Sequence, residues 1–437
     1  MLKAATYVIR TLRENGHEAL LAGGCVRDFL LGKEPKDYDV ATSATPQQVI
    51  ALFPGALTVG AHFGVVIVKR DGHQIEVATF RTDGSYKDGR RPESVTFSTA
   101  KEDAQRRDFT VNGLFRDPVE NRIIDYVGGQ ADLEKRVLRA IGNPDRRFAE
   151  DRLRLLRAVR FATVLGFEIE AETWKSVCVH SDAISSVSAE RIRDELIKIF
   201  LHPNRLRGFD LLVESGLMQQ VLPEILVLQG VEQPPQWHPE GDVFIHTRLM
   251  LSLLPEQVSQ PLVLSVLLHD IAKPATFTVD EDTGRIRFNG HDKLGAEMTG
   301  DILRRLKFPN DVIEPTQVAV ENHMVFKDVQ KMRNSTLKRM MARPTWEDEL
   351  ALHRVDCLGS NGLLDNYEFM KAKAEEFSQA PLIPQPLLNG RDLMERGWPA
   401  GRELGKILTA VQTAQLEGVI STKDEALAWV ETHHRLG

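Results

Sequence analysis

The stretch LAGGCVRDFLLGKEPKDYDVAT, residues 21–42, packs two apolar runs, a glycine pair and two aspartates into a short span. Residues 19–22 read as a strand, and Gly23-Gly24 open a helical pattern that runs through Leu31. KDYDVAT reads as a second strand. Residues two apart on a strand share a face, so Asp37 and Asp39 present two carboxylates side by side. Such a pair repels unless a cation sits between its members, and hard oxygen ligands of this kind suit Mg²⁺ together with substrate phosphates. Glu76, in a nearby strand pattern, is a third candidate carboxylate. Gly23-Gly24 let backbone N–H groups approach an anion, and Arg27 follows within one turn. The spacing from Gly24 to Gly32-Lys33 does not fit a Walker A loop, which disfavours a P-loop ATPase. The whole set describes a two-metal nucleotidyl-transfer site.

Outward from this stretch, residues 63–69, the turn Asp71-Gly72 and residues 74–80 read as a β-hairpin. Residues 82–95, TDGSYKDGRRPESV, form a polar, glycine-bearing loop whose length and position suggest a working part. Residues 1–143 thus alternate helix and strand. From residue 143 onward the pattern is almost entirely amphipathic helix, broken at Pro203, Pro223, Pro234-Pro235, Pro274, Pro309, Pro344 and Pro381 to Pro384. The 437 residues suggest about three units, each able to bury a core. Cys25, Cys178 and Cys357 are too far apart for a knuckle or redox motif, and reduced cytoplasmic thiols are expected. The densest apolar run, residues 261–268, is far short of the roughly 20 residues a membrane span needs, and no export signal is read at the N-terminus.

Two further polar stretches bear on chemistry. RRDFTVNG groups Arg106, Arg107, Asp108 and Asn112, and EDRLRLLRAVRF covers residues 150–161. On a continuous helix Glu150, Asp151 and Arg154 share one face, while Leu155, Val159 and Ala162 take another. Acid–arginine pairs at this spacing commonly just brace an exposed helix. Asp151 with Arg154 also has a chemical reading. Cytosine and adenine both show an amino donor beside a ring-nitrogen acceptor, so a carboxylate plus a guanidinium would admit C and A and reject G and U.

In the helical half, His246, the pair His269-Asp270, His291, His323 and Asp356 form an ordered series. Any one would mean little, but imidazole and carboxylate together suit Mn²⁺, Ni²⁺ or Zn²⁺, with Mg²⁺ possible at a carboxylate-rich site.

LAGGCVRDFLLGKEPKDYDVAT, RRDFTVNGLFRD and EDRLRLLRAVRFA resemble the successive motifs of bacterial-type (class II) CCA-adding enzymes, the tRNA nucleotidyltransferases of the poly(A) polymerase family. The resemblance covers residues 1 to about 205. It implies an α+β protein: a polymerase-beta-like nucleotidyltransferase head with a mixed sheet over residues 1–143, then an all-α neck (144–225), body (226–365) and tail (366–437). It implies CTP and ATP addition to a tRNA 3′ end without a nucleic-acid template, releasing pyrophosphate. By it, Asp37 and Asp39 hold Mg²⁺ with Glu76 as a further catalytic carboxylate. Gly24, Arg27, Arg107, Asp108, Asn112 and Arg157 contact the nucleotide, and Glu150, Asp151 and Arg154 form the amino-acid template that selects it. Gly113 departs slightly from the motif, which more often has Ala there. The histidine series resembles the HD phosphohydrolase domain of some members, implying phosphatase or 2′,3′-cyclic phosphodiesterase activity. Residues 82–95 resemble the full-length loop of members that add ATP, which disfavours CC-only addition; A-only addition and poly(A) synthesis stay open.

The chain carries 62 acidic against 55 basic residues, an apparent objection to an RNA partner. Regional counting softens it. Residues 136–160 hold eight arginines against three acids, and residues 331–343 hold five basic residues and no acid. Arg136, Arg139, Lys331, Arg333, Lys338 and Arg339 are therefore candidate RNA contacts, since phosphate binding needs only a local basic track. The expected partners are tRNA, CTP and ATP, with no membrane, no obligate protein partner and a cytoplasmic location.

Overall fold

The computed structural model describes residues 1–58, 64–83 and 95–434. They divide into two compact units, Met1–Leu226 and Val227–Gly437. This grouping is coarser than the four segments expected, with head and neck falling in one unit and body and tail in the other.

The first unit is built on β1 (Ala19–Ala22), β2 (Asp39–Thr42), β3 (Val65–Arg70), β4 (His73–Thr79), β5 (Arg81–Asp83), β6 (Val95–Phe97), β7 (Leu114–Asp117) and β8 (Arg122–Asp125). Six of these form one sheet in the order β3-β4-β2-β1-β7-β8. Only β2 and β4 run parallel, so the sheet is mixed as expected. The hairpin β3–β4 turns on Asp71 and Gly72, both at positive φ (50° and 74°), as its two-residue loop requires. The four residues of β1 are all buried, because the sheet is covered on both faces. On one side lie Val8, Ile9 and Leu12 of the helix Leu2–Glu14. A core of Leu20, Ala22, Ala41, Phe80, Ala104 and Phe115 also packs against this sheet. β5 and β6 pair separately, and residues 84–94 between them, the bulk of the expected loop, lie outside the described residues.

The pairing decides where the acidic residues meet. Asp39 begins β2 opposite Ala22 at the end of β1. Val40 pairs with Val77 on parallel β4, which puts Glu76 level with Asp39. Asp37 lies just before β2 and not within it, a correction to the two-aspartate strand.

The second unit is helical. Leu262 to Leu268 of the helix Gln260–Leu268 are all buried, so the apolar run is a core helix. Around it stand Val243–Leu253, His291–Arg305, Asn310–Asn322 and Trp346–Gly359. A small hairpin, Thr278–Val279 with Ile286–Arg287, was not expected in this half. Beyond them a separate core of Leu393, Leu404, Ile407, Val411, Leu427 and Val430 joins the last helices. Among the described residues no helix is long and apolar enough to cross a membrane.

Candidate active site and candidate metal centre

Burial, then Glu76 and Asp37, push the Asp39 carboxyl up to about 6, with only Arg107 opposing. Three carboxylates at one sheet end with so little compensation form a site short of positive charge. Hard-oxygen donors in that setting fit a divalent cation of the Mg²⁺ kind.

Gly23, at φ 72°, borders this site. A side chain there would bring its Cβ within 2.7 Å of Arg107 Nη1, so glycine is what admits the guanidinium. Arg107 donates to Asn112 O at 3.2 Å and is braced through Nη2 by Asp103 Oδ2 at 3.0 Å. Asn112 accepts from Arg27 Nη1 at 2.7 Å and donates to Asp108 Oδ1 at 3.1 Å. Arg157 donates to Asp108 Oδ2 through Nε and Nη2, at 2.9 and 2.6 Å. Burial opposes ionisation of Asp108, but Arg157 and then Asn112 outweigh it and hold the carboxyl below the usual range. Arg27, Asn112, Asp108 and Arg157 thus form one connected row. The Arg27 and Arg157 guanidiniums each lie 5.3 Å from the Phe161 ring centroid. Gly113 follows in the same turn, where a Cβ would meet Val127 Cγ2 at 2.7 Å, so the alanine usual in the motif would need Val127 to move.

The expected continuous helix through residues 150–161 is broken. One helix ends at Glu150 and the next begins at Arg154, with Asp151 extended at φ −139° and ψ 103°. Asp151 Oδ1 accepts the Leu153 N–H at 3.2 Å, a local bond that competes with the helix ladder. Arg191 Nη2 reaches both oxygens of Asp151, at 3.1 and 2.9 Å. Arg154, buried, gives Nη1 to Arg147 O and Glu150 Oε2 and Nη2 to Arg106 O, at 2.8 to 2.9 Å. Glu150 therefore braces Arg154 and Arg147. Counting lone pairs, both acceptors of Asp151 Oδ1 are used and one on Oδ2 is open; counting protons, Arg154 keeps one N–H on Nη2 and that on Nε.

In the second unit, His246, His269, Asp270, His291, His323 and Asp356 do come together, and all but Asp356 are almost fully buried. Four imidazoles are fixed through Nδ1: His269 on Val266 O (3.0 Å), His291 on Phe288 O (2.7 Å), His323 on Val320 O (2.6 Å) and His246 on Glu240 Oε1 (2.7 Å). Donation from Nδ1 leaves the lone pair on Nε2. The Nε2 atoms of His291 and His323 lie 3.1 Å apart, and those of His246 and His269 each stand 3.1 Å from a carboxylate oxygen, Asp356 Oδ1 and Asp270 Oδ2. Asp270 Oδ2 already pairs with the buried Lys273 Nζ at 2.7 Å, and the imidazole nitrogens gathered around Asp270 are of the kind that ligate a divalent ion. Burial and then His269 push His323 down to about 4, the neutral form that ligates. At His246 burial is outweighed by Asp356 and Glu240, which raise it to about 9 and so favour positive charge there. Asp270, His291, His323 and Asp356 line a cavity of about 990 Å³ together with Lys273 and Trp237.

Family models match residues 19–139 (poly A polymerase head domain), 166–228 (RNA and SrmB-binding site of polymerase A) and 292–430 (tRNA nucleotidyltransferase domain 2). The CCA-adding enzyme of Lactobacillus johnsonii is 31% identical over 427 residues, 97% of this chain and 95% of the relative. The chain belongs to the CCA-adding enzyme family. The Geobacillus thermodenitrificans member is 46% identical over 231 residues, 53% of this chain and 55% of that one. The structure of the Bacillus stearothermophilus CCA-adding enzyme in complex with CTP superposes with a TM-score of 0.76 at 27% identity, covering 99% and 97% of the two chains. The Thermotoga maritima CCA-adding enzyme complexed with tRNA shares the fold, with a TM-score of 0.63 at 20% identity over 98% and 94% of the chains. The family and fold expected from the motifs are borne out.

The basic tracks of this CCA-adding family member are less free than counting suggested. Arg139 pairs with Asp132 and Glu170, and Arg147, Arg154, Arg157 and Arg160 each hold a carboxylate. Lys338 donates to Leu416 O at 2.8 Å and Arg339 to Thr413 Oγ1 at 2.9 Å, tying their helix to Arg402–Leu416. Lys331 is well exposed beside Asp328, Arg136 sits exposed at a helix end, and Arg333 caps the helix Asn334–Met341. Sequence reasoning missed Asp103, Phe161, Arg191 and Glu240. Only Asp103 had a usable signal, its i,i+3 and i,i+4 spacing to Arg106 and Arg107.

Proposed function

We propose that this chain extends the 3′ end of tRNA in the cytoplasm with CTP and ATP, reading the incoming base against protein side chains. The observation that supports the selection is that the hydrogen bonds of the structure leave an acceptor position on Asp151 Oδ2 and N–H groups on Arg154 unused, at either side of the break between two helices. An amino group donates to Asp151 and a ring nitrogen accepts from Arg154, which cytosine and adenine satisfy and guanine and uracil do not. Glu150 and Arg191 hold the two readers in place. The connected row Arg27, Asn112, Asp108 and Arg157 would hold the ribose and triphosphate. Asp37 and Asp39 would hold the metal, with Glu76 beside them. Bound there, divalent ions supply activation of the attacking 3′-hydroxyl and charge neutralisation on the triphosphate. The hydroxyl oxygen bonds to the α-phosphorus, the bond to the bridging oxygen breaks, and pyrophosphate leaves. Transcripts ending before CCA, after CC and after CCA, each given single labelled nucleotides, test this reading. Addition of C, C and A, then arrest, is expected; UTP or GTP incorporated as well as CTP would refute the selection.

A second activity is supported by the four imidazoles fixed through Nδ1 around Asp270. We infer a metal-dependent phosphohydrolase centre there, taking Mn²⁺, Ni²⁺, Zn²⁺ or Mg²⁺. Water oxygen bonds to phosphorus, the ester P–O bond breaks, and the water proton passes to the leaving alcohol. Phosphomonoesterase or 2′,3′-cyclic phosphodiesterase turnover that Asp270→Ala abolishes would support it; no turnover with any of the four ions would dismiss it.

A further inference from the structure

We propose that Trp237 is a specificity-determining residue of the second unit: it stacks the base of a nucleoside phosphate whose phosphate lies at the histidine–aspartate cluster. The inference rests on the reading of that cluster as a phosphohydrolase centre and concerns what its substrate carries beyond the phosphate.

The segment that bears Trp237 is tied to the cluster on both sides. Buried Gln233 accepts from Lys273 Nζ at 2.6 Å, and Lys273 in turn pairs with Asp270 Oδ2 at 2.7 Å. The backbone N–H groups of Trp237 and His238 both donate to Pro234 O at 3.0 Å, closing a turn over Pro235 and Gln236. Glu240 Oε1 then holds His238 Nδ1 at 2.9 Å and His246 Nδ1 at 2.7 Å. Pro234 and Pro235 stiffen the segment further by fixing φ.

The indole on this anchored turn is nonetheless unused. Trp237 is 48% exposed, alone among the five tryptophans in being exposed. Among the described residues it makes no side-chain hydrogen bond, ring stacking or cation–π contact. Yet it lines the same cavity of about 990 Å³ as Asp270, His291, His323 and Asp356. A broad aromatic face held rigidly in water is stabilised by a flat partner laid on it. Phe288 also lines the cavity but is already engaged. It packs edge-on against Phe277 at 5.8 Å and His291 at 6.4 Å, and Lys273 Nζ lies 5.3 Å from its ring centroid.

Size and chemistry favour a nucleoside phosphate as that partner. The cavity stands at the upper end of the range of about 300–1,000 Å³ found for small-molecule sites, far more than a phosphate group fills. Asn289 and Asn361 share its lining, and their amide NH₂ groups have no partner among the described residues. Amides match the donor and acceptor edge of a base, which a bare aryl ring lacks. Every base has a π-face, so the platform selects nucleosides as a class and not one base.

Tryptophan fluorescence of the full chain, titrated with adenosine 2′-phosphate, ribose 5-phosphate and phenyl phosphate, tests this, with calorimetry on the same samples. Adenosine 2′-phosphate should quench and ribose 5-phosphate should not. Trp237→Phe should abolish the quenching while calorimetry still detects binding. Trp237→Ala should weaken adenosine 2′-phosphate by about 5- to 150-fold and leave ribose 5-phosphate unchanged. In turnover with Mn²⁺ it should raise KM and leave kcat. Quenching that survives Trp237→Phe, or equal losses for both sugar phosphates in Trp237→Ala, would overturn the platform and leave the phosphohydrolase reading standing. Phenyl phosphate bound as tightly as adenosine 2′-phosphate would overturn the assignment to a nucleobase. Trp237-dependent binding without turnover with Mn²⁺, Ni²⁺, Zn²⁺ or Mg²⁺ would overturn the phosphohydrolase reading and leave the platform.

Discussion

Asp39 shows how a functional residue is held at a cost in stability. Its carboxyl is raised to about 6 by burial and by Glu76 and Asp37, so the folded, metal-free protein binds this proton more tightly than the unfolded chain. The stability it contributes is present below the ordinary carboxylate pKa and is lost as pH rises from there through about 6. Asp39→Asn should therefore abolish nucleotide addition yet stabilise the metal-free protein at pH 7.5 by on the order of 1–3 kcal/mol, read as a higher unfolding temperature. A drop in stability would show that Asp39 is not under like-charge strain. The same titration gives a pH dependence: the Mg²⁺ concentration for half-maximal activity should climb below about pH 6, where proton and metal compete. The pair Asp37 and Asp39 was legible in the sequence as neighbouring carboxylates, although Asp37 lies before β2 and not in the strand that the two-residue period predicted. Gly23 was legible as a close approach, though not the fact that Arg107 fills it. Arg191 was not, since it meets Asp151 across 40 residues and nothing local links them.

At the scale of elements, the break between the helices Pro144–Glu150 and Arg154–Leu165 is the feature that sequence periodicity passed over. No proline or glycine marks it, and the apolar pattern of Leu155, Val159 and Ala162 extrapolates smoothly backward. The break comes from Asp151, whose side chain takes the Leu153 N–H and is clamped by Arg191 from the helix Ala189–Phe200. Arg191→Ala should loosen that turn and raise UTP and GTP incorporation relative to CTP by about tenfold, with Arg191→Lys partly restoring selectivity. Equal losses for all four nucleotides would mean that Arg191 only stabilises the fold. Glu150→Gln should weaken the hold on Arg154 and give a smaller shift in the same direction. The hairpin Thr278–Arg287 escaped for another reason: two-residue strands carry too little alternation to read.

Across the whole molecule, the two proposed centres fall one in each compact unit. The hairpin, the strands around it and the helical second half were legible, because strand alternation and helical periodicity are local; the order β3-β4-β2-β1-β7-β8 was not, since pairing is set by tertiary contacts. Which arginines remain free for RNA was not, since ion-pair partners such as Asp108 for Arg157 and Glu195 for Arg160 are set by tertiary packing. Hydrogen exchange should separate the centres. CTP with Mg²⁺ is expected to protect residues around 106–117 and 150–157, and Mn²⁺ alone those around 266–273 and 320–326. The most direct measurement of the central claim remains nucleotide choice on a tRNA lacking CCA. Wild type should add C, C and A and stop, and Asp37→Ala should lose addition by about 100-fold or more. GTP or UTP accepted as readily as CTP, or addition retained by Asp37→Ala, would contradict it.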